Sequence, residues 1–256
     1  MLAFFKREFL SFFKSPVGYI AFALFAFLSG FTFVSRFSMG EVNIANEIIA
    51  LRSYFVIIVP IVTMGLFADD KKRGTDIIYY TSPVSLLSVV IGKFLAAFCL
   101  FGVLFVNVFL HMAVTKYYGG KIDIGVLGAT VVFFVMTALF IALGLLASAL
   151  TDNQIVSAII SFVLILIVQI LPSAGEFAGS AVVSVVSLMS DASSDTLSSI
   201  SDKIVSAFTW LDPFERTNEF LYGKFNFVSI IFCLSFVAFF LFLTYRILEK
   251  KRWSQS

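Results

Sequence analysis

Residues 124–150 read IGVLGATVVFFVMTALFIALGLLASAL and contain no Asp, Glu, Lys or Arg. A helix needs about 20 mostly apolar residues to cross the hydrocarbon core of a bilayer. Lipid offers the backbone no hydrogen-bonding partner, so a spanning segment must be a helix or part of a closed barrel, and this run is too long for a barrel strand. The stretch therefore predicts a transmembrane helix.

Five further stretches have the same apolar character and indicate the class of the whole chain. Of the 256 residues, 60% are hydrophobic and 13% charged, whereas a typical soluble domain carries about 25% charged residues. We therefore predict an all-α integral membrane protein with six transmembrane helices in one domain over residues 16–256. The five additional predicted spans are residues 17–35, 48–68, 94–114, 155–171 and 227–245.

The segment before the first span, residues 2–14, reads LAFFKREFLSFFK. On a helical wheel its polar side chains lie opposite one apolar face, which is formed by Leu2, Phe5, Phe9, Phe12 and Phe13. We predict that residues 1–15 form an amphipathic helix in the membrane interface, which Pro16 ends. The alternative is a simple basic flank of the first span.

The other informative sequence patterns lie in two long connections between predicted spans. Residues 67–93 read FADDKKRGTDIIYYTSPVSLLSVVIGK, and within them we predict a cytoplasmic loop, residues 68–92, with a short helix across the base of the bundle. Asp69 and Asp70 favour the N-terminal end of that helix. The alternative is a topology anchor, which would need only the basic residues 71–73. The other connection, residues 172–226, is predicted to contain short extracellular helices.

The distribution of Lys and Arg predicts the orientation. With the N-terminus inside, seven cations lie in the longer outer segments, namely Arg36, Arg52, Lys116, Lys121, Lys203, Arg216 and Lys224. Eleven lie in the shorter inner segments, namely Lys6, Arg7, Lys14, Lys71, Lys72, Arg73, Lys93, Arg246, Lys250, Lys251 and Arg252. We therefore expect a multi-pass protein of the cell membrane with both termini in the cytoplasm.

No motif for catalysis, nucleotide, cofactor or metal binding is apparent. An ATP-binding loop would read G-x-x-x-x-G-K-[ST], and neither Gly92-Lys93 nor Gly120-Lys121 stands in that pattern. The net charge of +2 is too small to suggest nucleic acid. Asn107 and His111 lie four residues apart on one face of the third span, and we expect them to form interhelical hydrogen bonds. The sequence therefore predicts no enzyme, and it predicts a lipid membrane as the surroundings.

The inner connection resembles the signature of permease subunits of type-2 ATP-binding-cassette transporters. The predicted interface helix, six spans, long outer connection and basic C-terminus are similar to that family too. Residues 14–19 and the tail from 212 to 252 are most similar to its gliding-motility-type branch. Asp stands here where the family more often has Glu. The matching residues are Asp69, Asp70, Arg73, Gly74, Thr75, Asp76, Ser82, Pro83, Val84, Gly92 and Lys93.

This resemblance implies a function. The loop between spans two and three would be the coupling helix, which seats on a separate cytoplasmic ATPase subunit. Two permease subunits, identical or different, and two ATPase subunits would form an exporter, with the outer helices capping its pathway. The residues that the resemblance assigns to ATPase coupling are Asp69, Asp70, Lys71, Arg73, Gly74, Thr75 and Asp76.

Two other classes of function remain as alternatives. A non-transporting membrane scaffold or anchor subunit would share the spans, but it would not need the ordered pattern after the basic residues 71–73. An ATP-independent channel should place charged or polar rings along its pore, and the predicted spans offer very few such residues.

Overall fold

The computed structural model describes residues 2–40, 43–77, 79, 85–120, 122–189 and 194–254, and structural statements below concern these residues. The fold is all-helical, with 88% of the chain in helix and no strand in those ranges. Short 3-10 turns occupy Arg52–Tyr54 and Asn218–Tyr222. The helices are α1 Leu2–Lys14, α2 Pro16–Ser38, α3 Ile44–Leu51, α4 Phe55–Thr63, α5 Ala68–Lys72, α6 Leu86–Tyr117, α7 Ile124–Leu150, α8 Gln154–Met189, α9 Ser194–Leu211, α10 Pro213–Arg216 and α11 Phe227–Ser254.

Six segments of the described chain are long and apolar enough to cross a membrane, which confirms the predicted fold class. In chain order they are α2, the segment Ile44–Lys72 that contains α3 to α5, then α6, α7, α8 and α11. We call them spans one to six. The N-terminal helix α1, the C-terminal end of α11 and α5 lie at one end of the bundle, which we call the basal end, and α9 and α10 lie toward the opposite, distal end.

Spans two and three begin earlier than predicted. Span three begins at Leu86 rather than at residue 94, because Lys93 lies inside the helix with its charge paired by carboxylates. Span two begins at Ile44 rather than at residue 48, which brings Glu47 into the bundle. In both cases the charged residue suggested that the span begins after it, but the helix includes that residue and packs it inside the bundle.

The prediction that span five ends before Pro172 is wrong. The helix α8 continues through Pro172 to Met189, and its 36 residues measure about 54 Å at 1.5 Å per residue. That length exceeds the hydrocarbon core of about 30 Å. The antiparallel helix α9 packs on the extension, since Gly175 and Gly179 leave room for Phe208 and Ser201. Residues 172–189 are therefore the distal part of span five rather than a loop.

Aromatic side chains fill the centre of the bundle, between spans two, three and four. Phe55 of α4 lies with its ring centroid 5.9 Å from Phe101, 5.2 Å from Phe133 and 5.5 Å from Phe140. All four rings are buried. Offset and edge-on arrangements at this spacing add to the stabilisation from burial. These Phe side chains thus form a packed core rather than a lipid-facing surface.

The segment after α9 returns into the bundle at the distal end. Phe214 of α10 lies 5.7 Å, between ring centroids, from Phe140, which stands near the middle of α7. Phe220 is fully buried, and its backbone lies directly against Gly128 of α7. Breaks between short helical turns, such as the one at Thr217, are tolerated at this depth where protein surrounds the backbone. This re-entrant segment, residues 212–222, therefore covers span four from the distal side.

The contact at Gly128 gives a test of that packing. A Cβ atom at position 128 would lie 1.9 Å from the Phe220 carbonyl oxygen, so Gly128→Ala should displace the re-entrant segment. Overpacking of this kind costs about 1–3 kcal/mol. We expect a lower thermal unfolding midpoint for the variant purified in detergent.

The matched control is Gly102→Ala in α6, where a Cβ atom would have no neighbour within 4 Å. Its stability should be unchanged or raised by at most about 1 kcal/mol, because Ala is the better helix former. Equal midpoints for the two variants would contradict the close contact at Gly128.

Candidate coupling site

The basal segment, which we define as residues 68–77 together with Tyr79, begins with α5, the last part of span two. Its first helix, α5, is capped by another helix. The Ser148 hydroxyl oxygen of α7 accepts hydrogen bonds from the backbone N–H groups of Phe67, at 2.9 Å, and Ala68, at 3.1 Å. It donates to the Met64 carbonyl oxygen at 3.0 Å. Because the first N–H groups of a helix have no partner within it, Ser148 fixes where α5 begins.

Lys93 is the centre of the site and is fully buried. Its ammonium group lies 2.6 Å from an Asp70 carboxylate oxygen and 3.0 Å from a Glu8 carboxylate oxygen. It also donates to the Leu66 carbonyl oxygen. A buried charge requires pairing and hydrogen bonding of this kind. One side chain of span three therefore joins the N-terminal helix α1, the end of span two and the basal segment.

The Asp70 carboxylate has two further partners within the basal segment. It accepts hydrogen bonds from the Thr75 hydroxyl, at 3.0 Å, and from the Tyr79 hydroxyl. Burial raises the pKa of Tyr79 above its ordinary value, and the neighbouring Asp70 carboxylate raises it further, so the hydroxyl stays protonated as a donor. The Tyr79 oxygen accepts in turn from Arg7 of α1 at 3.1 Å. Asp70 therefore folds the basal segment back onto itself and onto α1.

The other side of the basal segment is tied to spans four, five and six. Lys71 donates to the Ala149 carbonyl oxygen at the end of α7 and lies 3.6 Å from Asp152. Asp76 is buried and lies 3.2 Å from the Lys251 ammonium group of α11. The basal segment is thus attached to spans two, three, four and six by these bonds and to span five through the contact of α5 with α8, and α1 joins it to span one.

The remaining residues face outward. Lys72, Arg73 and Gly74 are exposed, and the 73%-exposed side chain of Arg73 lies 3.8 Å from an Asp69 carboxylate oxygen. Gly74 has a φ of +67°, a left-handed conformation that Gly adopts at little cost. We call Lys72, Arg73 and Gly74 the exposed tip.

The seven residues that the resemblance assigned to coupling differ in their contacts and in their exposure. Asp70, Lys71, Thr75 and Asp76 make internal contacts, Arg73 and Gly74 are exposed, and Asp69 is half-buried. The resemblance did not assign Lys72, Glu8, Tyr79 or Lys93 to coupling, although Lys93 belongs to the residues that match the family signature. The available signal for Lys93 was a lone cation among apolar residues, since such a residue requires a buried carboxylate partner.

The arrangement at the basal end suits a mechanical role. Its ion pairs and hydrogen bonds connect helices, and among the described residues no group of three His, Cys, Asp or Glu side chains could hold a metal ion. A displacement of the exposed tip would act on Asp70 and Lys71, and through them on spans two to five.

Removing the Lys93 charge tests this centre. Lys93→Met keeps a similar length but leaves the Asp70 and Glu8 carboxylates together in a buried site. Breaking a buried ion pair from one side costs about 3–5 kcal/mol, so thermal unfolding in detergent should begin at clearly lower temperature. Arg73→Gln breaks only an exposed pair, which is worth about 0–1 kcal/mol. Similar unfolding of the two variants would contradict a structural role of Lys93.

Comparison with protein families agrees with the fold. A family model described as ABC-2 family transporter protein matches residues 2–253. Comparison with curated proteins finds no match. The family match covers both the spans and the basal segment, and a transporter domain of this kind is not itself an enzyme. The chain therefore belongs to the ABC-2 family of transporter proteins.

Proposed function

We propose that this ABC transporter permease subunit is the membrane part of an exporter, and that a separate cytoplasmic ATPase drives it through the basal segment. One observation carries the proposal. The exposed tip is mounted on a base of buried ion pairs, formed by Lys93 with Asp70 and Glu8 and by Asp76 with Lys251. Movement of the tip is therefore transmitted to several spans together.

The charge of the exposed tip indicates the kind of surface it meets. Lys72 and Arg73 are two adjacent cations, and complementary potentials favour association and fix its orientation. We infer that the ATPase presents an acidic surface or groove to the tip. Closure of an ATPase dimer would then push on the basal segment and switch the bundle between two rigid-body states.

The orientation in this proposal is basal end inside, in the cell membrane. Two observations support it. The Lys and Arg residues are concentrated in the inner segments, and α1, α5 and the C-terminal end of α11 all lie at the basal end, so one assignment satisfies all segments. The re-entrant segment then covers the bundle from the outer side, where it would cap an export pathway.

A second permease subunit, identical or different, completes the proposed assembly. Spans one, five and six are the least buried within the chain, whereas spans three and four are the most buried. Large apolar side chains such as Phe31, Ile155 and Phe242 are exposed on the less buried spans, where lipid or a second subunit would cover them. The proposed placement in the gliding-motility-type branch is supported by residues 14–19 and 212–252 alone.

Charge reversal at the tip tests the coupling proposal. The double substitution Lys72→Glu, Arg73→Glu should leave the thermal unfolding midpoint close to that of the native chain, since substitutions at exposed sites change stability by about 0.5 kcal/mol or less. It should strongly reduce co-purification of the ATPase and ATP-dependent transport, because two favourable contacts become repulsive.

A control with the same change in net charge is Lys14→Glu, Lys250→Glu, at two other exposed basal positions. This variant should retain the ATPase. Normal ATPase binding and transport in the tip variant would contradict coupling through the basal segment. A native chain that recruits no ATPase would favour the scaffold alternative, and transport without ATP would favour the channel.

A further inference from the structure

A second buried polar cluster lies at the distal end, far from the basal segment. Glu47 of α3 is only 2% exposed, and its Oε1 atom lies 2.6 Å from Nδ1 of His111 in α6. The imidazole ring stacks on the Phe33 ring of α2, with 4.4 Å between ring centroids and 10° between planes. Spans one, two and three therefore meet at one Glu–His pair, which contains the single histidine of the chain.

The protons of this pair can be counted. A separation of 2.6 Å between a nitrogen and an oxygen atom requires one proton between them. With that proton alone, the pair consists of a carboxylate and a neutral imidazole, and it carries one net negative charge. A second proton makes the pair neutral overall, whichever residue holds it.

The surroundings make the second proton favourable. The other carboxylate oxygen of Glu47 is buried and has no hydrogen-bonding partner among the described groups. A buried net charge without close compensation is costly. The exposed edge of His111, 12% of its side chain, gives protons access from the distal side. Burial of the pair thus favours its form with no net charge, and the exposed edge of His111 allows the pair to exchange protons.

The other charged groups around the pair do not replace that proton. The charge of Arg36 in α2 favours the ionised Glu47 carboxylate, but the burial of Glu47 opposes ionisation more strongly. Arg52, after α3, lies over the Phe214 ring, 5.3 Å from its centroid. Lys116 on α6 and Asp123 at the start of α7 are exposed, so water screens their charges.

We propose that Glu47 and His111 form a proton-binding site, and that a proton taken up from the distal side locks the distal ends of spans one, two and three together. The site does not depend on the ATPase coupling proposed above. If the distal end faces outward, the pH outside the cell sets the strength of this junction.

The pH dependence has a definite sign. Where the folded chain binds more protons than the unfolded chain, stability increases as the pH falls. Histidine ordinarily titrates near pH 6.5. The stabilisation by this pair is therefore present at more acidic pH and is lost as the pH rises through the range in which the pair releases its second proton.

The test uses the full-length chain, purified in detergent through a tag that contains no histidine. Thermal unfolding is measured at about pH 6 and about pH 8, on either side of the ordinary histidine range. The native chain should gain about 2–4 °C more on acidification than Glu47→Gln or His111→Gln, the shift expected for a modest stabilisation of a chain of this size.

The matched control is Asn107→Ala, one turn from His111 on the same helix face. The Asn107 side chain donates a hydrogen bond to Ser29 of α2 at 2.6 Å and does not titrate. This variant should unfold at lower temperature at both pH values and keep the full native response to pH. A full native response in Glu47→Gln would overturn the proposal.

A second measurement keeps the proposal testable if a variant fails to fold. Isotope-labelled histidine reports His111 alone, because the chain contains no other histidine. In the native chain the imidazole signals should change over the same pH range as the thermal stability. Imidazole signals that stay constant between about pH 5 and pH 9, a range that includes the ordinary histidine value, would show that the pair does not exchange a proton and would overturn the site.

Discussion

The burial of the Lys93 ammonium group is the constraint on which the basal end depends. Span three carries this cation fully inside the protein, and a charge in that position is tolerated only with close, hydrogen-bonded partners. Glu8 and Asp70 supply them from α1 and from the basal segment. The ion pairs therefore determine where α1 lies, how the chain leaves span two and where span three begins. The exposed tip has a defined position because this base holds it.

The fold class followed from the sequence because lipid imposes so few solutions on an uncharged apolar run. The boundaries of the spans were predicted less accurately, and a charged residue or a proline caused each error. Lys93 and Glu47 suggested ends of spans, yet both are buried beside groups of opposite charge or beside an imidazole ring. Pro172 suggested an end of span five, yet the helix continues because α9 packs on its extension. These outcomes depend on tertiary partners that local pattern does not reveal.

The candidate site shows the same limit at the level of single residues. Lys71 and Lys72 are neighbours of identical type in one short helix, but Lys71 bonds to the end of α7 while Lys72 faces outward. Successive residues of a helix point about 100° apart, so a run of cations is divided between the interior and the surface. The family signature assigned the segment to coupling as a unit, and the structure shows how its residues are divided.

The central claim is that the exposed tip is the part of the chain that meets the ATPase. Site-specific photocrosslinking in intact cells tests it most directly, with a photoreactive amino acid placed singly at Lys72, at the buried position Asp76 and at the exposed apolar position Ile159 of span five. We expect a crosslink to a cytoplasmic ATPase from position 72 and none from position 76 or 159. A crosslink to the ATPase from position 159, with none from position 72, would contradict the account.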